Sequence, residues 1–512
     1  MLRRTPFSPF ALAIFPILAI LASNASEVSL SIAIRPLVVS LLVTLLLVVG
    51  LRLVLRAWDK AALVTSFILV LFYSYGHVYS LLEQHPVGNI ILGRHRYLII
   101  LYVLVLITGL WGLIFKLKNK PLFLYLANVI SLALLVLPVM QLSIFTIQTS
   151  LQQHQTAQAS VQLDDPLEPN LQPLPDVYYI VLDSHTRSDA LLEDYQLDNS
   201  VYLDELRGLG LYIADCSRSN YAYTQGSIAA ALNMDYLTGL GPYLKQLNSN
   251  DIWILLKQSR VRRLLENAGY KTVAFDTGYE WSRLEDADIY LSLGSESYSL
   301  QKVNPFEAML IKSTGLLILT DSQNKMLRSQ FQEVNFPYSF HVNSQNFILE
   351  QLPQISKDPD PTFTFVHLLI PHVPFVFNPD GSVVTDPLFY NGKLSWPGDD
   401  EHLRLGYANQ VEFIDRQMVA IVRTILAQSK TPPIIVIHGD HGLLDANRYE
   451  ILNAYYLPGD GINELYPTIT PVNSFRVIFD TYYGSPYSLL PDVSYNDSGQ
   501  PIPETSHACM NK

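Results

Sequence analysis

Uncharged apolar runs at 5–26, 36–51, 61–82, 97–115 and 121–150 fill the first third of the chain. Most are near the roughly 20 residues needed to cross a bilayer core. The run at 36–51 is short, but it extends toward Leu55 if Arg52 snorkels to the interface. Five membrane spans are therefore predicted over 1–150. Beyond them the pattern changes to brief apolar, β-branched or aromatic runs that alternate with longer amphipathic stretches. Strands are predicted to end at Leu182 and Ile437 and to occupy 211–214, 272–275 and 361–369. Helices are predicted at 187–209, 224–237, 261–268 and 403–428. Strands alternating with helices imply a parallel or mixed sheet covered on both faces, an α/β fold. The stretches 280–300 and 323–356 carry weaker patterns and read as insertions on the substrate side. No internal repeat is present.

Orientation follows from the placement of Lys and Arg. Arg3 and Arg4 precede the first span, Arg52, Arg56 and Lys60 follow the second, and Lys116, Lys118 and Lys120 follow the fourth. All three clusters share one side if the amino terminus is cytoplasmic. The opposite loops also carry Arg35, Arg94 and Arg96, so the bias is imperfect. Everything after Ser150 then faces outward. The first span could instead be a signal peptide, since Ala22-Ser-Asn-Ala25 resembles a small-residue cleavage site, and the large domain would still lie outside. Residues 151–175, rich in Gln, Pro and Asp, read as a linker, 176–490 as the catalytic domain and 491–512 as a tail.

Composition adds little to this picture except by exclusion. Charged residues are 16% of the chain, and 46 Asp+Glu stand against 34 Lys+Arg. Without a basic patch to meet phosphate charge, nucleic acid is not expected as a partner. The two cysteines, Cys216 and Cys509, form no disulfide framework. A bridge between them is open to an oxidising compartment, but the sequence does not demand it, and two free thiols are expected.

The chemistry gathers where predicted strands stop. Asp183 follows Val177-Tyr-Tyr-Ile-Val-Leu182, and His438-Gly-Asp440-His441-Gly follows Ile434-Ile-Val-Ile437. In open α/β sheets the ligand crevice lies at the carboxyl ends of the strands. Asp183 on its own is a ligand or a helix N-cap. Asp440 and His441 offer one oxygen and one nitrogen ligand in a turn whose glycines permit close approach, or else they form a plain polar turn. Thr224 opens a predicted helix, where free N–H groups favour an anion, so it is a candidate nucleophile or a simple cap. Ser227 is its rival, one turn in. His372, flanked by Pro371 and Pro374, could contact phosphate or protonate a leaving group. His367 lies in an apolar run and reads as a buried structural residue. His77, inside a span, is a functional group or a packing residue.

Taken in order, Pro175-Asp-Val-Tyr-Tyr-Ile-Val-Leu-Asp183, Ser219-Asn-Tyr-Ala-Tyr-Thr224-Gln-Gly-Ser227, Pro371-His-Val-Pro-Phe375 and His438-Gly-Asp-His-Gly442 resemble the sulfatase-like branch of the alkaline phosphatase superfamily. With spans preceding an outward domain, the whole is similar to the lipoteichoic acid synthase and phosphoethanolamine transferase type of membrane enzyme. The resemblance implies an alkaline-phosphatase-like domain with a mixed, mostly parallel sheet. It implies one divalent metal, manganese or zinc with magnesium possible, on Asp183, Thr224, Asp440 and His441. It also implies a covalent phosphothreonine at Thr224, with His372 touching substrate. Cys216-Ser-Arg-Ser-Asn220 lacks the proline and terminal arginine of the formylglycine setting, which argues against sulfate ester hydrolysis by that route.

The expected protein is a multi-pass enzyme of the cell (plasma or inner) membrane. It would transfer or hydrolyse phosphoryl groups outside the cytoplasm, on phospholipid or envelope glycan head groups. A sulfuric or phosphoric ester hydrolase is the nearer alternative. A catalytically inactive binding protein is the alternative of another class. Oligomeric state is not legible.

Overall fold

The computed structural model describes residues 5–25, 28–84, 94–159, 167–246, 252–293, 303–320, 338–384, 400–485, 487–496 and 498–503. It divides into two units, Met1–Ser150 with Ser295–Pro337, and Leu151–Gly294 with Tyr338–Lys512.

The first unit is helical: α1 (Ser8–Ser23), α2 (Ile34–Leu55), α3 (Trp58–Gln84), α4 (His95–Trp111) and α5 (Lys120–Ala159). Four stretches, Leu30–Leu55, Trp58–Leu82, His95–Lys116 and Lys120–Gln148, are long and apolar enough to cross a membrane. At 16 residues α1 is shorter than the rest. A few polar groups join the helices, as expected where no water competes for them. Asn128 accepts from the backbone N–H of Ser8 at 2.7 Å and donates to the Thr5 carbonyl at 2.8 Å. The helix Pro305–Ser313 also belongs to this unit, although it comes from the later part of the chain. Its Glu307 pairs with Arg35 at the start of α2.

The second unit is built on a seven-stranded mixed sheet. Its strands are β1 (Val177–Leu182), β2 (Tyr212–Ile213), β3 (Lys271–Phe275), β4 (Ile289–Leu291), β5 (Thr362–Leu368), β6 (Ile434–Gly439) and β7 (Asn453–Tyr456), in the order β2-β7-β6-β1-β5-β3-β4. β1 runs parallel to β5 and β6, and β3 runs parallel to β5 and β4. β7 is antiparallel to β6 and β2. Every residue of β1 and β6 is buried, so both sheet faces are covered, which explains why these strands read as continuous apolar runs rather than alternating ones. Val177, Tyr179 and Val181 share a core with Ile228 of the helix Thr224–Asn233 and with Phe475 and Ile478 of the helix Pro471–Tyr483. The helix Asp400–Gln428 is tied to the end of β1 by Tyr407, whose hydroxyl donates to the Ser184 carbonyl at 2.6 Å.

Several elements depart from the sequence expectation. The helix expected at 187–209 is two helices, Ser188–Tyr195 and Ser200–Gly208, parted at Gln196 in the left-handed region (φ 56°). The stretch 280–300 supplies the edge strand β4, and α5 runs on to Ala159, into the expected linker. Further along that linker, Leu167 packs in the core, and the N–H groups of Glu168 and Asn170 donate to the Tyr483 and Tyr482 carbonyls at 3.2 and 2.8 Å. Part of the expected tail forms a hairpin, β8 (Ser494–Tyr495) with β9 (Pro501–Ile502).

Candidate metal centre

Parallel pairing brings the ends of β1, β5 and β6 to one edge of the sheet. Val181 is in register with His367 on one side and with His438 on the other, so a short step beyond it places Asp183 and Asp440 side by side. The turn after β1 is tight: Ser184 takes the left-handed region (φ 64°), rare for a residue with a side chain and often seen at functional sites. That turn aims the Ser184 N–H at Asp440 Oδ1, 2.8 Å away. The glycines flanking the Asp-His pair are required by close approach. A Cβ on Gly439 would stand 2.2 Å from the His185 carbonyl oxygen, and one on Gly442 would stand 2.0 Å from that of Asn447.

Asp183, His367 and Asp440 are buried, and one ligand atom of each falls within 4.8 Å of the others. His367 Nε2 lies 3.4 Å from Asp183 Oδ2. Asp440 Oδ1 accepts from the N–H groups of Ser184 and His441, whereas Oδ2 is buried without a hydrogen-bond partner among the described residues. Both ring nitrogens of His367 are in the same condition. Leaving such groups unpaired costs on the order of 1–3 kcal/mol each, which a coordinated cation would offset. Two carboxylates and an imidazole also form a hard-to-borderline donor set that suits zinc or manganese. The residues therefore fit a metal.

His441 joins this cluster to Thr224. Its Nε2 lies 3.5 Å from Asp440 Oδ2 and 3.2 Å from Thr224 Oγ1. Its Nδ1 lies 2.9 Å from the Gly442 carbonyl and 3.2 Å from Ser184 Oγ, which in turn donates to Asp183 Oδ1 at 3.1 Å. Thr224 is the first residue of its helix. The N-cap is Tyr223 and no side chain caps that end, so the hydroxyl turns to His441 rather than to its own backbone. Ser227 is fully buried inside the helix. His372 donates its backbone N–H to the Asp183 carbonyl at 3.0 Å, and its Nδ1 lies 2.7 Å from the Val373 carbonyl.

Burial pushes the Asp183 carboxyl up, but the His372, His367 and His441 imidazoles outweigh it and hold the group below the usual carboxylate range. Burial pushes His438 down to about 4; its Nε2 meets the Tyr179 hydroxyl at 2.7 Å. His341, in the helix Tyr338–Gln351, is also pushed down to about 4 by burial and then by the neighbouring His372.

Asp183, Asp440, His441 and Thr224 thus come together as a connected set, with His372 beside Asp183. Thr224 reaches the set through His441. Two participants escaped the sequence reading. His367 joins the ligand cluster rather than serving only as core; its phase, one residue before the end of a strand paired to β1, was the available signal. Ser184, next to Asp183, bridges Asp183 and His441.

The loop carrying Thr224 is held from both sides. Arg448 Nε donates to the Ala222 carbonyl at 2.8 Å while its Nη1 donates to the Gly442 carbonyl at 3.1 Å. From the tail, the Tyr495 N–H donates to the Asn220 carbonyl at 2.9 Å and Ser494 Oγ to that of Ser219 at 2.6 Å. Cys216, at the head of this loop, is disulfide-bonded and no described cysteine is free, which corrects the expectation of two free thiols. Cys509 lies outside the described residues. A bonded Cys216 also has no thiol to convert to formylglycine.

An α/β sheet with a carboxylate, an Asp-His pair and a helix-start hydroxyl at its strand ends defines a sulfatase-like transferase or hydrolase of the alkaline phosphatase superfamily. The sulfatase family profile matches residues 175–464, more than half of the 512, and the chain belongs to that family. No curated protein matches the chain. Among solved structures it is similar to the C-terminal periplasmic domain of EcEptC from Escherichia coli in complex with Zn, at 15% identity and a TM-score of 0.42, over 64% of this chain and 90% of that one. It is similar to the integral membrane lipooligosaccharide phosphoethanolamine transferase A from Neisseria meningitidis, at 11% identity and a TM-score of 0.39, over 92% and 94%. It is also similar to the lipoteichoic acid synthase LtaP from Listeria monocytogenes, at 14% identity and a TM-score of 0.35, over 56% and 66%.

Proposed function

We propose that the chain is a membrane-anchored, metal-dependent phosphotransferase or phosphodiesterase that works outside the cytoplasm on lipid or glycan head groups. On this reading it acts through a covalent phosphothreonine at Thr224 and crosses the cell membrane five times. The observation that supports it most is the 3.2 Å approach of Thr224 Oγ1 to His441 within a buried cluster of two carboxylates. Asp183, Asp440 and His441, with Thr224 and His367 beside them, would hold one manganese or zinc ion, magnesium being the weaker fit. When bound, the ion supplies Lewis acidity toward phosphoryl oxygens and favours the ionised hydroxyl.

The remaining work falls to the chain's own groups. Thr224 sits where free helix N–H groups favour phosphate oxygens. Its Oγ1 forms a bond to phosphorus as the bond to the first alcohol breaks. The Thr224 proton leaves to solvent as the hydroxyl ionises. The departing oxygen takes up a proton through His372 Nε2, which accepts one from solvent and passes it on while the Nδ1–H of that ring stays committed to the Val373 carbonyl. A second alcohol or water then attacks the phosphothreonine, and Thr224 recovers its hydroxyl. Mass spectrometry of the full chain after incubation with membrane lipids tests this. A phosphorylated head-group adduct is expected on the Thr224 peptide and none in Thr224→Ala. Sustained turnover with no adduct at any time point would remove the covalent step.

A further inference from the structure

The first unit contains a cavity of about 670 Å³ between α1, α3, α5 and the helix Pro305–Ser313. We propose that it binds one acyl chain of a membrane phospholipid, with the phosphate head group at its rim.

The lining is graded along the helix axes. Leu12 and Phe15 of α1, Leu69 and Val70 of α3 and Leu134 of α5 form the deep part. Ser23 and Asn24 at the end of α1, His77 of α3 and Ser313 form the other end. Between these levels, Tyr73 and Ser74 turn their hydroxyls to neighbouring helices, to Ser40 at 2.7 Å and Tyr102 at 3.1 Å, so the middle presents little polarity. From Leu12 to Asn24 the helical rise is about 18 Å, close to the roughly 15 Å of hydrocarbon in one leaflet. The depth, the gradient and a volume inside the about 300–1,000 Å³ range of ligand sites match one lipid tail entered from one leaflet.

The rim is fixed rather than incidental. A Cβ on Gly76 would stand 2.2 Å from the Lys312 carbonyl oxygen, so α3 and the helix Pro305–Ser313 touch backbone to backbone beside His77 and Ser313. The Gly315 N–H adds a hydrogen bond of 2.7 Å to the Phe72 carbonyl. Between membrane helices an apolar void of this size has no water to gain and forfeits dispersion contacts if empty. An acyl chain supplies them. At the rim, the Asn24 amide gives one N–H to the Ile20 carbonyl at 2.7 Å and keeps a second, which with the imidazole of His77 is suited to a phosphodiester, while the Ser313 hydroxyl is spent on the Leu310 carbonyl.

The inference rests on the first unit lying in a membrane, and not on the chemistry at Thr224. The test uses the full chain in phospholipid nanodiscs doped with a phosphatidylethanolamine carrying a diazirine at the end of one acyl chain. After irradiation, labelling of Leu12, Phe15 and Leu69 is expected to exceed that of Val54, a 76% exposed residue on α2, by about tenfold. Ala19→Trp and, separately, Val70→Trp narrow the cavity and should each cut the deep labelling by about tenfold while Val54 labelling stays unchanged. Deep labelling no stronger than that of Val54, or unaltered in both variants, overturns the site. Labelling of neither Leu12 nor Val54 overturns the site together with the membrane reading.

Discussion

Thr224 Oγ1 and His441 Nε2 lie 3.2 Å apart although 217 residues separate them in the chain. The contact exists only because the helix Thr224–Asn233 and the turn after β6 meet at the same edge of the sheet. Thr224→Ala should therefore abolish turnover of a phosphodiester while costing no more than about 1 kcal/mol of stability, since the hydroxyl caps nothing. Ser227→Ala removes a fully buried hydroxyl and should keep turnover within about tenfold of wild type. The reverse outcome would move the nucleophile to Ser227.

Elemental analysis of the purified full chain should give about one divalent metal per protein. Asp440→Ala should abolish it and His367→Ala should weaken retention, because both belong to the buried ligand cluster. His372→Ala should keep the metal and lose catalysis. Two metals in the wild type with one in His372→Ala would instead make His372 a ligand.

Acid sensitivity follows from two buried imidazoles. His341 and His438 are held near 4, against an ordinary value of 6.5, so the folded state binds fewer protons than the unfolded one between those pH values. Their contribution to stability is whole above about pH 6.5 and is lost as the pH falls toward 4. Melting temperature in detergent should decline over that window, and His341→Gln should lessen the slope. A wild-type profile flat from pH 7 to about 4.5 would contradict this.

Removing the Cys216 disulfide, by reductant or as Cys216→Ser, should cost about 2–4 kcal/mol. Turnover should fall as well, because the bond anchors the loop that leads into Thr224. A urea midpoint and a rate both unmoved by reductant would show that the loop is held without the disulfide, by the Asn220 amide on the Val493 carbonyl, the Tyr495 N–H on the Asn220 carbonyl and the bonds of Ser494 and Arg448.

Topology can be tested by labelling in intact cells. A cysteine introduced at Gln153 should react with an impermeant thiol reagent and one at Lys118 should not. The opposite pattern would place the catalytic unit in the cytoplasm.

The sheet's central strands were legible because burial on both faces leaves uninterrupted apolar, β-branched runs, as in Ile434-Ile-Val-Ile437. Two outer strands were not: β4, at one edge, is three half-buried residues, and β7, next to the other edge, begins with Asn453, so neither carries a run long enough to stand out. The break at Gln196 depends on a backbone angle that no side chain there announces. In the candidate site, Asp183, Asp440 and His441 declared themselves by polar chemistry directly after apolar strands. His367 was hidden by the same logic, since a histidine within an apolar run looks like core until its register with Val181 is known.

The hairpin of Ser494–Tyr495 with Pro501–Ile502 has a consequence for the timing of assembly. The loop that carries Thr224 is synthesised well before the groups that brace it from outside, Ser494 and Tyr495, since Ser494 follows its partner Ser219 by 275 residues. Before they arrive, or in a copy clipped ahead of Pro491, the loop keeps its Arg448 clamp and loses its outer brace. The loop that carries Thr224 is thus fastened late, after every other residue of its site has already been made.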